Sequence, residues 1–106
     1  MINNFYDYEI YQTDNRNYTF MSFEYAMNHG FKRNDYKFCY KGIVEASCVN
    51  EALNKLWIRH NADDRPAGKT MRSLSMSDVV TIDGIPYYCD CSRVGWSEIP
   101  AERWYR

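Results

Sequence analysis

Val49-Asn50-Glu51-Ala52-Leu53-Asn54-Lys55-Leu56-Trp57-Ile58-Arg59-His60 is the stretch that decides the fold class. Val49, Ala52, Leu53, Leu56 and Trp57 stand at i, i+3, i+4, i+7 and i+8, one apolar stripe along an amphipathic helix. The spacing predicts a helix over about residues 48–60, capped by Ser47 or Cys48. Glu51 lies near its positive end, Lys55 and Arg59 toward its negative end, and Glu51 and Lys55 form a favourable i,i+4 pair. A helix with one apolar stripe needs a second layer to cover it.

The flanking segments supply that layer as strands. Upstream, residues 36–45 alternate, with Tyr36, Phe38 and Tyr40 on one face and Lys37 and Lys41 on the other. Downstream, residues 78–82 and 85–91 are joined by Asp83-Gly84, a strong two-residue hairpin signal. Residues 94–99 continue as a last strand after a bend at Gly95. Near the N-terminus, residues 5–13 read as a strand with Tyr6, Tyr8, Ile10 and Gln12 on one face. A polar break at residues 14–17 precedes a short helix over about residues 23–29, with Ser22 as N-cap and Gly30 just past its end. Residues 61–76 form a long polar connection holding Pro66 and Gly68. The expectation is an α+β fold: an antiparallel sheet of four or five strands packed by one long helix, plus the short one.

With 106 residues the chain fits a single domain, 1–106. Its 45% hydrophobic and 25% charged residues are ordinary globular usage, whereas 17% aromatic is high and can furnish a core or a binding face. The formal net charge of −1 predicts no non-specific attraction to nucleic acid or anionic membrane. No apolar run approaches the roughly 20 residues of a membrane helix, and the first residues lack a signal-peptide pattern. The expected location is the cytoplasm, where the four cysteines stay reduced.

Several blocks together resemble the YodL-like family, small bacterial proteins and domains, many of them on phages and integrative elements. The blocks are Tyr8-Glu9-Ile10-Tyr11-Gln12-Thr13, Tyr36-Lys37-Phe38-Cys39-Tyr40-Lys41-Gly42, Glu51-Ala52-Leu53-Asn54-Lys55-Leu56-Trp57 and Asp64-Arg65-Pro66. Leu74-Ser75-Met76-Ser77-Asp78-Val79-Val80 is the most specific; Tyr87-Tyr88-Cys89-Asp90-Cys91 and Gly95-Trp96 follow it. The resemblance covers roughly residues 8–99. Two stretches depart from the family's pattern: residues 67–72, where members often carry an Asp-Phe pair and a basic residue, and residues 90–96. The resemblance implies a recurring fold and a mobile-element setting, and assigns no reaction, cofactor or catalytic residue.

Four constellations have the residue types for chemistry. Cys89 and Cys91 share a strand face and, with Cys39, Cys48, His29 or His60, have the donor types for zinc. A single C-x-C within a strand is a poor match to zinc knuckles, and the plainer reading is packed thiols. Cys48 at a helix start has the position of an activated thiol, but nothing places either histidine beside it. Ser73, Ser75 and Ser77 with Arg72 have the make-up of an anion site, or of a strand start whose serines bond to backbone. Lys55, Arg59, Arg65, Lys69 and Arg72, close to aromatic residues, have the ingredients of a nucleic-acid groove, interrupted by Asp63 and Asp64.

The sequence thus points to no catalytic residue, metal or cofactor. It favours a non-enzymatic accessory protein of a phage or mobile element that binds a host macromolecule, a host protein first, and so interferes with a host process or defence system. The alternative is a nucleic-acid-binding module using residues 55–72. Arg59, Arg65, Lys69, Arg72, Trp96 and Trp104 are the candidate contact residues, since Trp and Arg are enriched at hot spots; the tail Trp104-Tyr105-Arg106 either docks on its own domain or contacts a partner.

Overall fold

A computed structural model describes residues 3–91 and 95–105, without the side chain of Cys91. The elements run β1 (Asn4–Thr13), α1 (Phe23–Asn28), a 3₁₀ turn (Arg33–Asp35), β2 (Tyr36–Ala46), α2 (Val49–Arg59), β3 (Val79–Ile82), β4 (Ile85–Cys91), β5 (Gly95–Glu98) and α3 (Ala101–Trp104). Five strands form one antiparallel sheet in the order β2-β1-β3-β4-β5. The α+β class, the sheet and α2 are as the sequence predicts, α2 being one residue shorter at each end. Val94, the expected start of the last strand, lies outside the described residues.

Local chemistry explains the elements. Asp83 and Gly84 adopt φ of +48° and +86°, the left-handed pair that a two-residue hairpin turn requires. Ser22 Oγ accepts from Tyr25 N at 3.1 Å, capping α1, and Gly30 ends it at φ +92°. At α2 the N-cap position belongs to Cys48, but its side chain makes no capping bond. Glu51 Oε1 instead accepts from Ser47 N at 2.8 Å, much as the acidic half of a capping box does. A thiol is a poor acceptor for the free amides of the first turn, and the Glu51 carboxylate instead fixes the chain just before the helix.

The expectation of one helix over one sheet face is incomplete, because both faces are covered. On the first, α2 sets Ala52, Leu53 and Leu56 against Tyr8, Ile10, Val44, Val80 and Ile82, and the 61–76 connection adds Met71 and Leu74. On the second, Ala26 of α1, Tyr18, Phe31, Ile99 and Trp104 of α3 pack on Tyr36, Val79 and Tyr88. All four residues of β3 are therefore buried. The second layer covers only the part of its face around Tyr36, Val79 and Tyr88. The rest, from Phe5 to Glu9 on β1 with the adjoining part of β2, is the open part of that face, where Phe5, Asp7 and Ile43 are exposed; Thr81 of β3 beside it is buried.

β2 is a long edge strand, and two features blunt it. A bulge interrupts its pairing with β1 between Ile10 and Tyr11. Two cations of α2 also cover its carbonyls: Lys55 Nζ donates to Glu45 O at 2.8 Å and Arg59 Nη1 to Ile43 O at 3.1 Å.

Candidate functional site

The basic stretch does not gather into one surface. Lys55 and Arg59 cover the β2 edge as described, and Arg59 Nη1 also reaches Tyr8 Oη at 3.4 Å. Arg72 is committed to Asp78 through two parallel bonds of 2.8 Å, Nη1 to Oδ2 and Nη2 to Oδ1. It donates further to Thr13 O at 3.1 Å and Ser75 Oγ at 2.7 Å. Arg65 is half-buried, with its Nε lacking a partner. Lys69 is exposed.

The serine block serves the fold. The Asp78 side chain is fully buried and accepts, besides Arg72, from Gln12 Nε2 at 3.1 Å and Ser75 N at 2.9 Å. The anion that Arg72 and Ser75 surround is thus the chain's own carboxylate. Burial pushes that carboxyl up from its ordinary value, against the pull of Arg72 and the other donors. Ser77, at φ +76°, takes the Tyr36 hydroxyl on its carbonyl at 2.5 Å and the Phe20 amide on its Oγ at 3.3 Å. These bonds tie the start of β3 to β1, to β2 and to the loop after β1.

The thiols and histidines are scattered. Cys48 and His60 flank opposite ends of α2, separated by its eleven residues, about 16 Å of helix. His29 stacks on Tyr25 with ring centroids 3.7 Å apart. His60 is fully buried, its Nε2 3.0 Å from Tyr8 Oη and its Nδ1 without a partner. Burial, with Arg59 adding repulsion, lowers its pKa from 6.5 to about 4, so the ring is neutral at pH 7. Cys89 is buried in the sheet, Cys39 half-buried, and no group of three His, Cys, Asp or Glu among the described residues is arranged to hold a metal. The Cys91 side chain, part of the zinc reading, lies outside the described residues.

Of the tryptophans, Trp96 is half-buried on β5 opposite Cys89 and packs toward the α2-side core. Trp104 is 2% exposed and belongs to the second core, so of the two places open to the tail it takes the docked one and its indole is not on a contact surface. Tyr11, Phe31 and Tyr36 surround its ring, and the Arg33 guanidinium lies 4.6 Å from it and 4.5 Å from the Tyr11 ring. The tail docks on its own chain because an indole of that size loses more by facing water than by closing this cluster.

The open surface lies elsewhere, on the uncovered part of the second sheet face. A groove of about 760 Å³ is lined there by Asp7 and Glu9 of β1, Lys41 and Ile43 of β2, Thr81 of β3 and Asp83 of the turn. These positions alternate with the buried Tyr8, Ile10, Val44, Val80 and Ile82, so they face away from α2. Phe5 at 71% exposure and Ile43 at 60% bring apolar surface to this face. Asp83 Oδ1 accepts from Asp7 N at 2.9 Å. Glu9 Oε1 accepts from Tyr11 Oη at 2.9 Å and from Thr81 Oγ1 at 3.4 Å. In the sequence these residues read as the polar side of ordinary strands. The missing signal is which sheet face stays uncovered, and that depends on residues far away in the chain.

The groove and the exposed apolar pair lie on the open part of one face of an α+β sheet that carries helices on both faces. Residues 4–101 match the YodL-like domain model, so the chain belongs to the YodL-like domain family. No curated protein and no solved structure matches it.

Proposed function

We propose that this protein is a non-enzymatic accessory protein of a phage or mobile element that acts by binding a host protein in the cytoplasm. Interference with a host process or defence system is the outcome this reading assigns to that binding. The observation that carries it is the uncovered sheet face, where Phe5 and Ile43 stay exposed although two apolar cores lie close by. Exposed large apolar residues beside a groove are the usual anatomy of a protein contact. The rival reading, nucleic-acid binding through residues 55–72, has less support, because Lys55, Arg59 and Arg72 bond to the chain's own carbonyls and carboxylate.

The test is affinity capture from host lysate with the wild type and a Phe5→Ser/Ile43→Ser variant, alongside a mobility shift with mixed nucleic acid at low and moderate salt. A host protein recovered by the wild type and lost with the variant supports the proposal. A salt-sensitive nucleic-acid shift, unaffected by that variant, replaces it with the rival.

A further inference from the structure

Three acidic side chains, Asp7, Glu9 and Asp83, line the groove against one cation, Lys41. The charge on this face is thus opposite to that of the basic stretch. Glu9 carries the argument further. It is the register partner of Lys41 across β1 and β2, yet the two form no ion pair within 4 Å. The carboxylate is held instead by two hydroxyls, Tyr11 and Thr81, which both donate to Oε1. Its other oxygen, Oε2, accepts no hydrogen bond from the described residues. Tyr11 is itself fixed, its ring packed on Trp104 and on Arg33. A carboxylate oriented by fixed donors, and without an ion pair to its cross-strand lysine, is pre-organised to accept a charge-assisted hydrogen bond.

From this we infer that the groove receives a basic, apolar-flanked segment of a partner protein, with a lysine or arginine side chain on Glu9 and apolar neighbours against Phe5 and Ile43. The inference rests on the protein-binding reading above and names the chemistry of the partner. The groove volume lies within the range of about 300–1,000 Å³ usual for small-molecule pockets, which leaves room for a long side chain together with its neighbours. Asp7 and Asp83 add negative potential at the rim, which favours a cationic partner during approach. Nucleic acid is disfavoured on this face for the same reason.

The experiment uses fluorescence anisotropy with a labelled peptide of alternating arginine and leucine, and a glutamate–leucine peptide of equal length as counter-probe. The wild type binds the first and not the second, with affinity falling as salt rises. A Glu9→Gln variant keeps the hydroxyl bonds and removes the charge; binding drops at least fivefold. An Asp7→Asn/Glu9→Gln/Asp83→Asn variant, whose asparagine at 83 tolerates the left-handed turn, loses tenfold or more with an unchanged melting temperature. Lys41→Gln tightens binding. Asp63→Asn/Asp64→Asn, which removes charge elsewhere, leaves it unchanged.

Equal affinity for both peptides, or equal losses in the groove variants and in the 63/64 variant, overturns the inference. If the peptide fails while Phe5 and Ile43 still capture a lysate protein, the cationic specificity falls and the binding role stands. If both fail, both fall.

Discussion

At the scale of single residues, the informative positions are those where one atom decides whether a neighbour fits. Gly42 is one. A Cβ there meets Tyr8 Oη at 3.0 Å and the ring carbons Cε1 and Cζ at 3.1 Å. The Tyr8 ring lies over this glycine, and its hydroxyl meets His60. Gly42→Ala pushes the ring off its seat and is expected to cost about 1–3 kcal/mol, the usual range for overpacking, read as a shift in the urea midpoint. His60 makes a second prediction. Its folded pKa, about 4, lies below its ordinary 6.5, so the fold favours the neutral ring. The resulting stability is full above pH 6.5 and is lost as pH falls toward 4, about 3 kcal/mol in all. Denaturation at a series of pH values should show that loss, and His60→Gln should flatten the profile over that window. An equally steep profile in the variant would assign the loss to other groups.

At the scale of elements, the connection between α2 and β3 is held at both ends. Leu74 N donates to His60 O at 3.2 Å, and Met71 and Leu74 enter the α2-side core. The Arg72–Asp78 pair then fastens the connection to the end of β1 through Thr13 O and Gln12. Arg72→Ala leaves a buried carboxylate without its cation. The expected cost is about 3 kcal/mol, the low end for a broken buried pair, since the arginine keeps 39% of its side chain in solvent. An Arg72→Leu/Asp78→Leu double variant should lose less than the two single variants summed, because no charge is then stranded. Additivity in that cycle would show that the two groups act independently.

Elements also differ in how much of them is legible in the amino-acid sequence alone. The Asp83-Gly84 turn and the α2 stripe are local patterns, each set by residues within one or two turns of chain, and both appear where the sequence places them. The Tyr8–His60 contact joins residues 52 positions apart, and the Gln12–Asp78 bond spans 66. No spacing rule reaches that far. The serine block is conspicuous in the sequence, but its use, holding a carboxylate, is visible only once Arg72 and Gln12 are brought beside it.

For the whole molecule, the consequential feature is the second core. Two segments far apart in the chain, one carrying Tyr18, Ala26 and Phe31 and the other Ile99 and Trp104, close over Tyr36, Val79 and Tyr88. Trp104→Ala removes the largest of these side chains and leaves the Arg33 guanidinium and the Tyr11 ring without their shared partner. The expected loss is about 3–5 kcal/mol, measured by thermal or chemical unfolding. A variant as stable as the wild type would mean that the tail is dispensable for the fold. Tyr11 also orients Glu9, so the same substitution should weaken binding of the arginine–leucine peptide in the variant that remains folded.

By itself the sequence determined the α+β class, the helix at Val49–Arg59, the hairpin at Asp83-Gly84 and the inward face of β1, because these follow from periodicity and turn chemistry within short windows. Only the tertiary structure decided that the sheet is covered on both faces, that the basic stretch is largely spent on the chain's own acceptors, and that an acidic groove stays open beside Phe5 and Ile43. The physical reason is that burial and charge pairing depend on which distant segments meet. A residue's type limits the partners it can take, and the packed fold determines which of them it has.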